Sequence, residues 1–413
     1  MFEKRFKSHH DVKDFIDSKF SRTLLLPGSY WNQVRKYDSF GRAGIYVHIP
    51  YCDKICSFCN MNRKIRKGNL DSYTEYLLKS IDKYNGTGLA NKAQIDVIYL
   101  GGGTPTILNN YQLERILRKL HDVFWFDNDI EFTFESTLHN LHEDKLEMMQ
   151  EYGVNRLSLG IQTFSDNGRR FLNRSYDGSW AKKRAEKIKK KFDGLVCADI
   201  IYNYPNQTIE DVIKDAQISS RIGFDSISFY SLMIQKGSVI TKEFEPANMG
   251  FANDIKRDFS LFKAFLLESL KNKYKILEVT KLTNGGDKYR YIQKIHQGEN
   301  LIPIGIGAGG RFENIEIFNL NRVMTFYSEM DELKMRMKKI FGLLQHEYIA
   351  INNLKKLIGE NFEKVWQLID KFNKNCLLNI LDNKIQYTLK GHFWANNISI
   401  AILDVFHTSS KNN

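Results

Sequence analysis

Three cysteines share one short stretch, Gly44–Lys64, which reads GIYVHIPYCDKICSFCNMNRK. Cys52, Cys56 and Cys59 are spaced C-x3-C-x2-C. Cysteine thiolates are the side chains that hold iron–sulfur clusters. Three of them can hold three irons of a four-iron cluster. With no fourth cysteine in the loop, one iron stays open to a substrate or cofactor. Two other readings use the same residues. Zinc accepts a three-cysteine, one-histidine set, with His48 as the fourth ligand. His48, however, falls inside the apolar run Ile45–Ile49, and no second ligand pair follows. The other option is buried free thiols, and three at this spacing on a polar loop make poor packing residues. The cluster is the strongest of the three readings.

Such a loop needs an element to hold it, and Ile45, Tyr46, Val47 and Ile49 supply a strand that Pro50 stops. Strands and helices then alternate. Apolar runs or alternation predict strands at Val97–Leu100, Ile130–Glu135, Arg156–Gly160, Leu195–Ile201 and Ser226–Ser231. Helical stripes fall between them: Tyr73, Tyr76, Leu77, Ile81 and Tyr84, then Leu113, Ile116, Leu117 and Leu120. Leu141–Tyr152 reads as a helix stopped by Gly153. Thr208 caps another, with Ile209, Val212, Ile213 and Ala216 inward and Gly223 at its end.

Six strand–helix units in series imply an α/β fold with a parallel sheet, either open or closed into a barrel. In both forms the reactive groups sit at the carboxyl ends of the strands. Gly101, Gly102, Gly103 and Thr104 follow the second strand, where glycine lets the backbone approach a ligand. Glu135 ends the third strand and Gln162 lies just past the fourth. Asp199 is a carboxylate inside a hydrophobic fifth strand and needs a partner. Singly, each fits a satisfied core hydrogen bond. As a set they favour a ligand site.

The chain of 413 residues, 42% hydrophobic and 13% aromatic, suffices for one large α/β domain plus a smaller one. Beyond the loop only Cys197 and Cys376 remain, too few and too far apart for a disulfide framework. No apolar run reaches transmembrane length and Met1–Arg5 is charged, so a cytoplasmic protein with no integral membrane segment is expected. The net charge of +12 favours anionic partners. Much of it lies in Lys182–Lys191, which reads as a solvated helix face. No basic–aromatic alternation of the single-strand-binding kind occurs, so nucleic acid is not expected.

At the ends of the chain the signals are sparser. Asp11–Phe20 reads as a short helix and Leu24–Gly28 as a turn, and the adjacent His9 and His10 are either metal or haem contacts or exposed polar residues. Asn253–Lys271 is a long amphipathic helix, Tyr274–Val279 a strand, and Leu377–Leu389 a hairpin turning at Asp382-Asn383. The expected division is an N-terminal extension (1–43), the α/β sheet domain with substrate-side elements (44–324) and a helical, winged-helix-like domain (325–413).

The cysteine loop resembles the signature of the radical S-adenosylmethionine (SAM) superfamily. That resemblance implies that the sheet domain is a partial (β/α)6 barrel, with a [4Fe-4S] cluster on Cys52, Cys56 and Cys59 and SAM chelated at the open iron. An electron from the cluster then breaks a sulfonium C–S bond to give a 5′-deoxyadenosyl radical. YVHIPYC, GGGTPT, GVNRLSLGIQTF, Arg174 and DIIYNYPNQT narrow the resemblance to the coproporphyrinogen dehydrogenase-like group. By motif position, Tyr46 and Phe58 flank the cofactor. Gly102, Gly103, Thr104, Glu135, Gln162, Arg174, Asp199 and Ser231 line its methionine and ribose–adenine parts. Asn203 stands where the group has glycine, Ser231 where it has alanine, and Glu135 lacks the usual Asn-Pro companions.

Three members of the group compete. The oxygen-independent coproporphyrinogen oxidases carry a cysteine two residues past the third ligand, where this chain has Met61. The haem chaperones carry H-N-x-x-Y-W before Gly-Ile-Gly-Ala-Gly. Here Gly305–Gly309 has no such motif upstream, and His139-Asn140 stands elsewhere without Tyr-Trp. CSFCNMNRK, PIGIGAGG and FNLNRVMTFYSEM resemble the anaerobic haem-degrading methyltransferases, the anaerobilin synthases. The resemblance implies haem as substrate, its methylation and ring opening to a linear tetrapyrrole, release of iron, and a flavodoxin-type or other low-potential electron donor. The runner-up is a haem-binding chaperone, followed by another tetrapyrrole-modifying methyltransferase. Residues 236–325 are expected to complete the haem-side wall, with His296 the histidine to watch there.

Overall fold

The computed structural model describes residues 2–235, 237–243 and 250–411. Lys236 and 244–249, within the expected 236–325 wall, lie outside the described residues. Six parallel strands follow one another in chain order and in space: Arg42–Ile49, Gln94–Gly102, Glu131–Ser136, Arg156–Gln162, Leu195–Tyr202 and Ser226–Ser231. All six expected strands form, each followed by helix. The sheet is the curved sheet of a partial barrel, extended by one further parallel strand and six antiparallel ones to thirteen in all.

Alternation within the strands explains why the sheet has a polar inside. In Arg156–Gln162 the residues Leu157, Leu159 and Ile161 are fully buried in the main hydrophobic core. Ser158, Gly160 and Gln162, on the opposite face, line an internal cavity. Period-two geometry thus turns one sequence into an apolar outer face and a polar inner one. Ser228 and Tyr230 do the same on the sixth strand.

A seventh parallel strand, Asn300–Ile304, pairs with Arg42–Ile49 and was not anticipated from the sequence. Its signal is short and broken by Pro303, a residue that normally argues against an interior strand. Gly309–Phe312, Ile315–Asn319 and Thr325–Glu329 continue from it as an antiparallel ladder, so the sheet runs on to Glu329. On the other edge Lys281–Thr283 and Lys275–Glu278 add to the sixth strand. The expected turn at Leu24–Gly28 is instead a two-residue strand, Thr23–Leu24, and a helix, Pro27–Lys36, that opens on proline. Proline suits that position because its missing N–H is one a helix start leaves unpaired anyway.

Between the two edges the segment Gly285–Glu299 crosses the amino ends of the strands and closes that end of the barrel. Asp287 accepts hydrogen bonds from Arg156 Nε at 3.1 Å and Nη2 at 2.8 Å, both side chains being fully buried. The backbone N–H groups of Arg290 and Tyr291 donate to Glu131 at 2.7 and 3.0 Å. The amino-terminal segment and the C-terminal helices pack against the barrel from outside: Arg5 reaches Asp258, Tyr202 and the carbonyl of Phe393. The expected hairpin forms as Leu378–Leu381 and Lys384–Tyr387, with Tyr348–Ala350 as a third strand.

Removing the buried carboxylate that Arg156 answers to should be costly. Asp287→Ala leaves an uncompensated guanidinium and is expected to destabilise the protein by about 3–5 kcal/mol, with Asp287→Asn less severe. Denaturant unfolding of the two variants beside the parent measures this.

Candidate active site

The cysteine loop hangs from the carboxyl end of the first strand. It is held there by a short parallel pairing in which Tyr51 faces Lys64 and Cys52 faces Ile65. Cys52, Cys56 and Cys59 are free thiols on the wall of one cavity of about 370 Å³, a size that suits a small cofactor. Burial raises the Cys52 thiol to about 11 and also raises Cys59. Loading a metal cluster must therefore drive protons off. Arg174 Nη1 donates to Cys56 Sγ at 3.0 Å and Thr104 Oγ1 to Cys52 Sγ at 3.7 Å.

Across the cavity, Gly102 packs against a side-chain ring and Gly103 against backbone. Gly102 has φ +115°, and a Cβ there would stand 2.7 Å from the His48 ring. A Cβ on Gly103 would stand 2.5 Å from the Tyr51 carbonyl oxygen. No other residue fits either position. Glu135 accepts from the Gly102 N–H at 3.0 Å and from Tyr99 Oη at 2.7 Å. Burial raises its carboxyl to about 7, against the lowering effect of those two hydrogen bonds.

Gln162 sits at φ +74°, at a shift in register with the neighbouring strand. Such an irregularity re-aims a side chain at a strand end, and Gln162 joins the cavity wall. Asp199 lies on the neighbouring strand, where it accepts from Ser158 Oγ at 3.4 Å. Asn203 has φ +66°, which explains why it can replace a glycine: asparagine tolerates the left-handed region best among residues with a side chain.

Of the residues singled out in the sequence, Phe58, Gly102, Gly103, Thr104, Glu135, Gln162, Arg174, Asp199 and Ser231 line this cavity with the three cysteines. Tyr46 does not; its hydroxyl bonds His48 Nδ1 at 2.9 Å behind the glycines. His48 Nε2 faces the Asn62 carbonyl at 3.1 Å, so both ring nitrogens are engaged and the histidine is poorly placed as a zinc ligand. His296 is neither a surface residue nor on the cavity wall. It is buried among His9, Phe341 and His346. Of the histidine pair, His10 lines the cavity.

Lys281 and Tyr289, which no local pattern announces, also line the cavity. Tyr289 lies on the closing segment, and Lys281 on the edge strand that docks on Ser226–Ser231. Ser158, Ser228 and Tyr230 could have been found by following the inward phase of their strands.

The family profile described as "Radical SAM superfamily" matches residues 46–218. The chain belongs to the radical SAM superfamily. It falls in the coproporphyrinogen dehydrogenase-like group. It is 24% identical over 371 residues to anaerobilin synthase of Escherichia coli O157:H7, covering 86% of this chain and 82% of that protein. Heme chaperone HemW of Lactococcus lactis is 25% identical over 368 residues, covering 86% and 95%. The solved structure of E. coli coproporphyrinogen III oxidase (HemN) has the same fold, with TM-score 0.77 over 93% of this chain and 94% of that one, at 19% identity.

The superfamily's cofactors, a [4Fe-4S] cluster and SAM, are therefore those of this chain. The residues fit them. The three thiols share one wall, and Arg174 Nε is buried there with no partner among the described residues, a donor free for an anionic group. No helix among the described residues is long and apolar enough to cross a membrane.

Glu135 makes a pH prediction. Its folded value of about 7 lies above the ordinary 4.5, so the native state binds the extra proton and cofactor-free stability falls as pH rises between the two. Glu135→Gln removes this loss. Its melting temperature relative to the parent should rise from pH 5 to pH 8 and level off above about 7.

Proposed function

We propose that this radical SAM protein methylates haem and opens its ring without oxygen, giving a linear tetrapyrrole and free iron. In this reading Cys52, Cys56 and Cys59 hold the [4Fe-4S] cluster. Gly102 and Gly103 present backbone to the methionine end of SAM, and Glu135 takes up its amino group. Gln162, Arg174, Asp199 and Ser231 orient the remainder, and Phe58 shields the cofactor from water. Tyr46 acts one step removed, holding His48 behind Gly102. When bound, the cluster and SAM supply one-electron chemistry, reductive cleavage of the sulfonium to a carbon radical.

The observation that carries the haem-degrading reading is Met61. It lies on the cavity wall, two residues past Cys59, and is 41% exposed. The coproporphyrinogen oxidases of the group carry a cysteine at that position. The similarity to anaerobilin synthase over 86% of this chain supports the same reading. A low-potential one-electron donor with an acidic face suits the net charge of +12, and the radical chemistry calls for a reducing, cytoplasmic setting. A second reading, a chaperone that binds haem without turning it over, is favoured by the HemW relative, 95% of whose length is matched.

Anaerobic incubation of reconstituted protein with dithionite, SAM and haem separates the two. Loss of the Soret band with 5′-deoxyadenosine and a methylated linear product is the expected outcome. Intact haem after many equivalents of SAM cleaved would favour the chaperone. Cys56→Ala should lose the brown cluster absorbance and all SAM cleavage, and cleavage retained in that variant would overturn the three-thiolate assignment.

A further inference from the structure

The mouth of the cavity carries an aromatic and histidine group that neither the cluster nor SAM accounts for. His139 lies on the short helical turn Leu138–Asn140, just past the carboxyl end of the third strand. Trp180 lies in the first turn of the helix Gly178–Lys191, whose cap Asp177 accepts the Trp180 N–H at 2.7 Å. His139, Asn140 and Trp180 all line the cavity. Tyr176 joins them: its ring stacks on Trp180 at 4.0 Å and 19°, and its centroid is 6.4 Å from that of His139.

Two features set this group apart from ordinary packing. Tyr176 has φ +65° and is 56% exposed. The turn is held through the backbone, the Tyr176 carbonyl accepting from Arg169 Nε at 2.9 Å, while the large ring itself stands out toward solvent beside Trp180. The second feature is the surroundings of His139. Its Nε2 faces Asp53 Oδ2 at 3.7 Å, and Asp53 Oδ1 is itself paired with Arg66 at 3.0 Å. Nδ1 has no hydrogen-bond partner among the described residues. An imidazole with one nitrogen turned to an anchored carboxylate and the other free is the arrangement of a metal-ligating histidine, and histidine is a common ligand of haem iron.

We infer that His139, Tyr176 and Trp180 form the seat of an iron porphyrin at the mouth of the cavity. His139 ligates the iron through Nδ1, and the stacked Tyr176–Trp180 pair carries the face of the macrocycle. This rests on the haem reading above. Asp53 directly follows Cys52 in the chain, so the seat places the macrocycle beside the cysteine loop. Lys54, on the same wall and without an ion-pair partner among the described residues, is the counter-charge for a propionate.

The test is titration of ferric haem into cluster-loaded protein without reductant or SAM, read by Soret difference absorbance and by electron paramagnetic resonance, so that no turnover occurs. The parent should show a histidine-ligated spectrum. His139→Ala should lose that spectrum and regain it on addition of free imidazole. Tyr176→Ala, at an exposed site that leaves the fold intact, should weaken haem binding about tenfold, near 1.4 kcal/mol, without changing the ligation spectrum. Parental spectrum and affinity in both variants would overturn the seat while leaving haem as substrate. A parent that does not bind haem at all would overturn the haem reading and the seat together.

Discussion

The buried ion pair between Arg156 and Asp287 is the interaction on which the rest of the barrel depends. A guanidinium at the amino end of a central strand cannot be left without an anion, because an unpaired buried charge costs several kcal/mol. Asp287 supplies it from the segment that leaves the sheet edge at Thr283 and returns as Asn300–Ile304 beside the first strand. Satisfying that one charge draws the segment across the amino ends of the strands. The same segment brings Tyr291 against Tyr99 and Tyr289 into the cavity. One end of the barrel is closed by charge pairing, which leaves the carboxyl end as the site of chemistry.

At that open end, two glycines let the chain approach its neighbours closely. Gly102 and Gly103 are fitted against His48 and Tyr51 so tightly that a methyl group would not pass. Glu135 is tied to the same turn by accepting the Gly102 N–H. Its burial keeps the carboxyl poised near neutrality, and an incoming ammonium group would favour its ionised form. The Cys52 and Cys59 thiols opposite are raised by burial as well. The cavity is therefore organised for charged ligands before any arrives, and the cost of burying its own ionisable groups is relieved on binding.

The parallel strands were legible because their apolar residues alternate or run unbroken, and because each helix between them carries a stripe. The strand Asn300–Ile304 was not, since Pro303 breaks its pattern and its partner lies some 250 residues earlier. The burial of His296 was equally hidden: nothing near it in the chain announces that His9 and His346 will pack around it.

What the sequence determined by itself was the ligand chemistry and the direction of the barrel. Thiols at C-x3-C-x2-C spacing act within one loop, and strand alternation is local, so both can be read from neighbours in the chain. Tertiary structure alone decided which polar residues face the cavity together. His139, Tyr176 and Trp180 meet across a gap of about forty residues, and Lys281 reaches the wall only because its strand docks on Ser226–Ser231. Those contacts follow from how curved strands converge on one interior, and a one-dimensional pattern carries no information about that convergence.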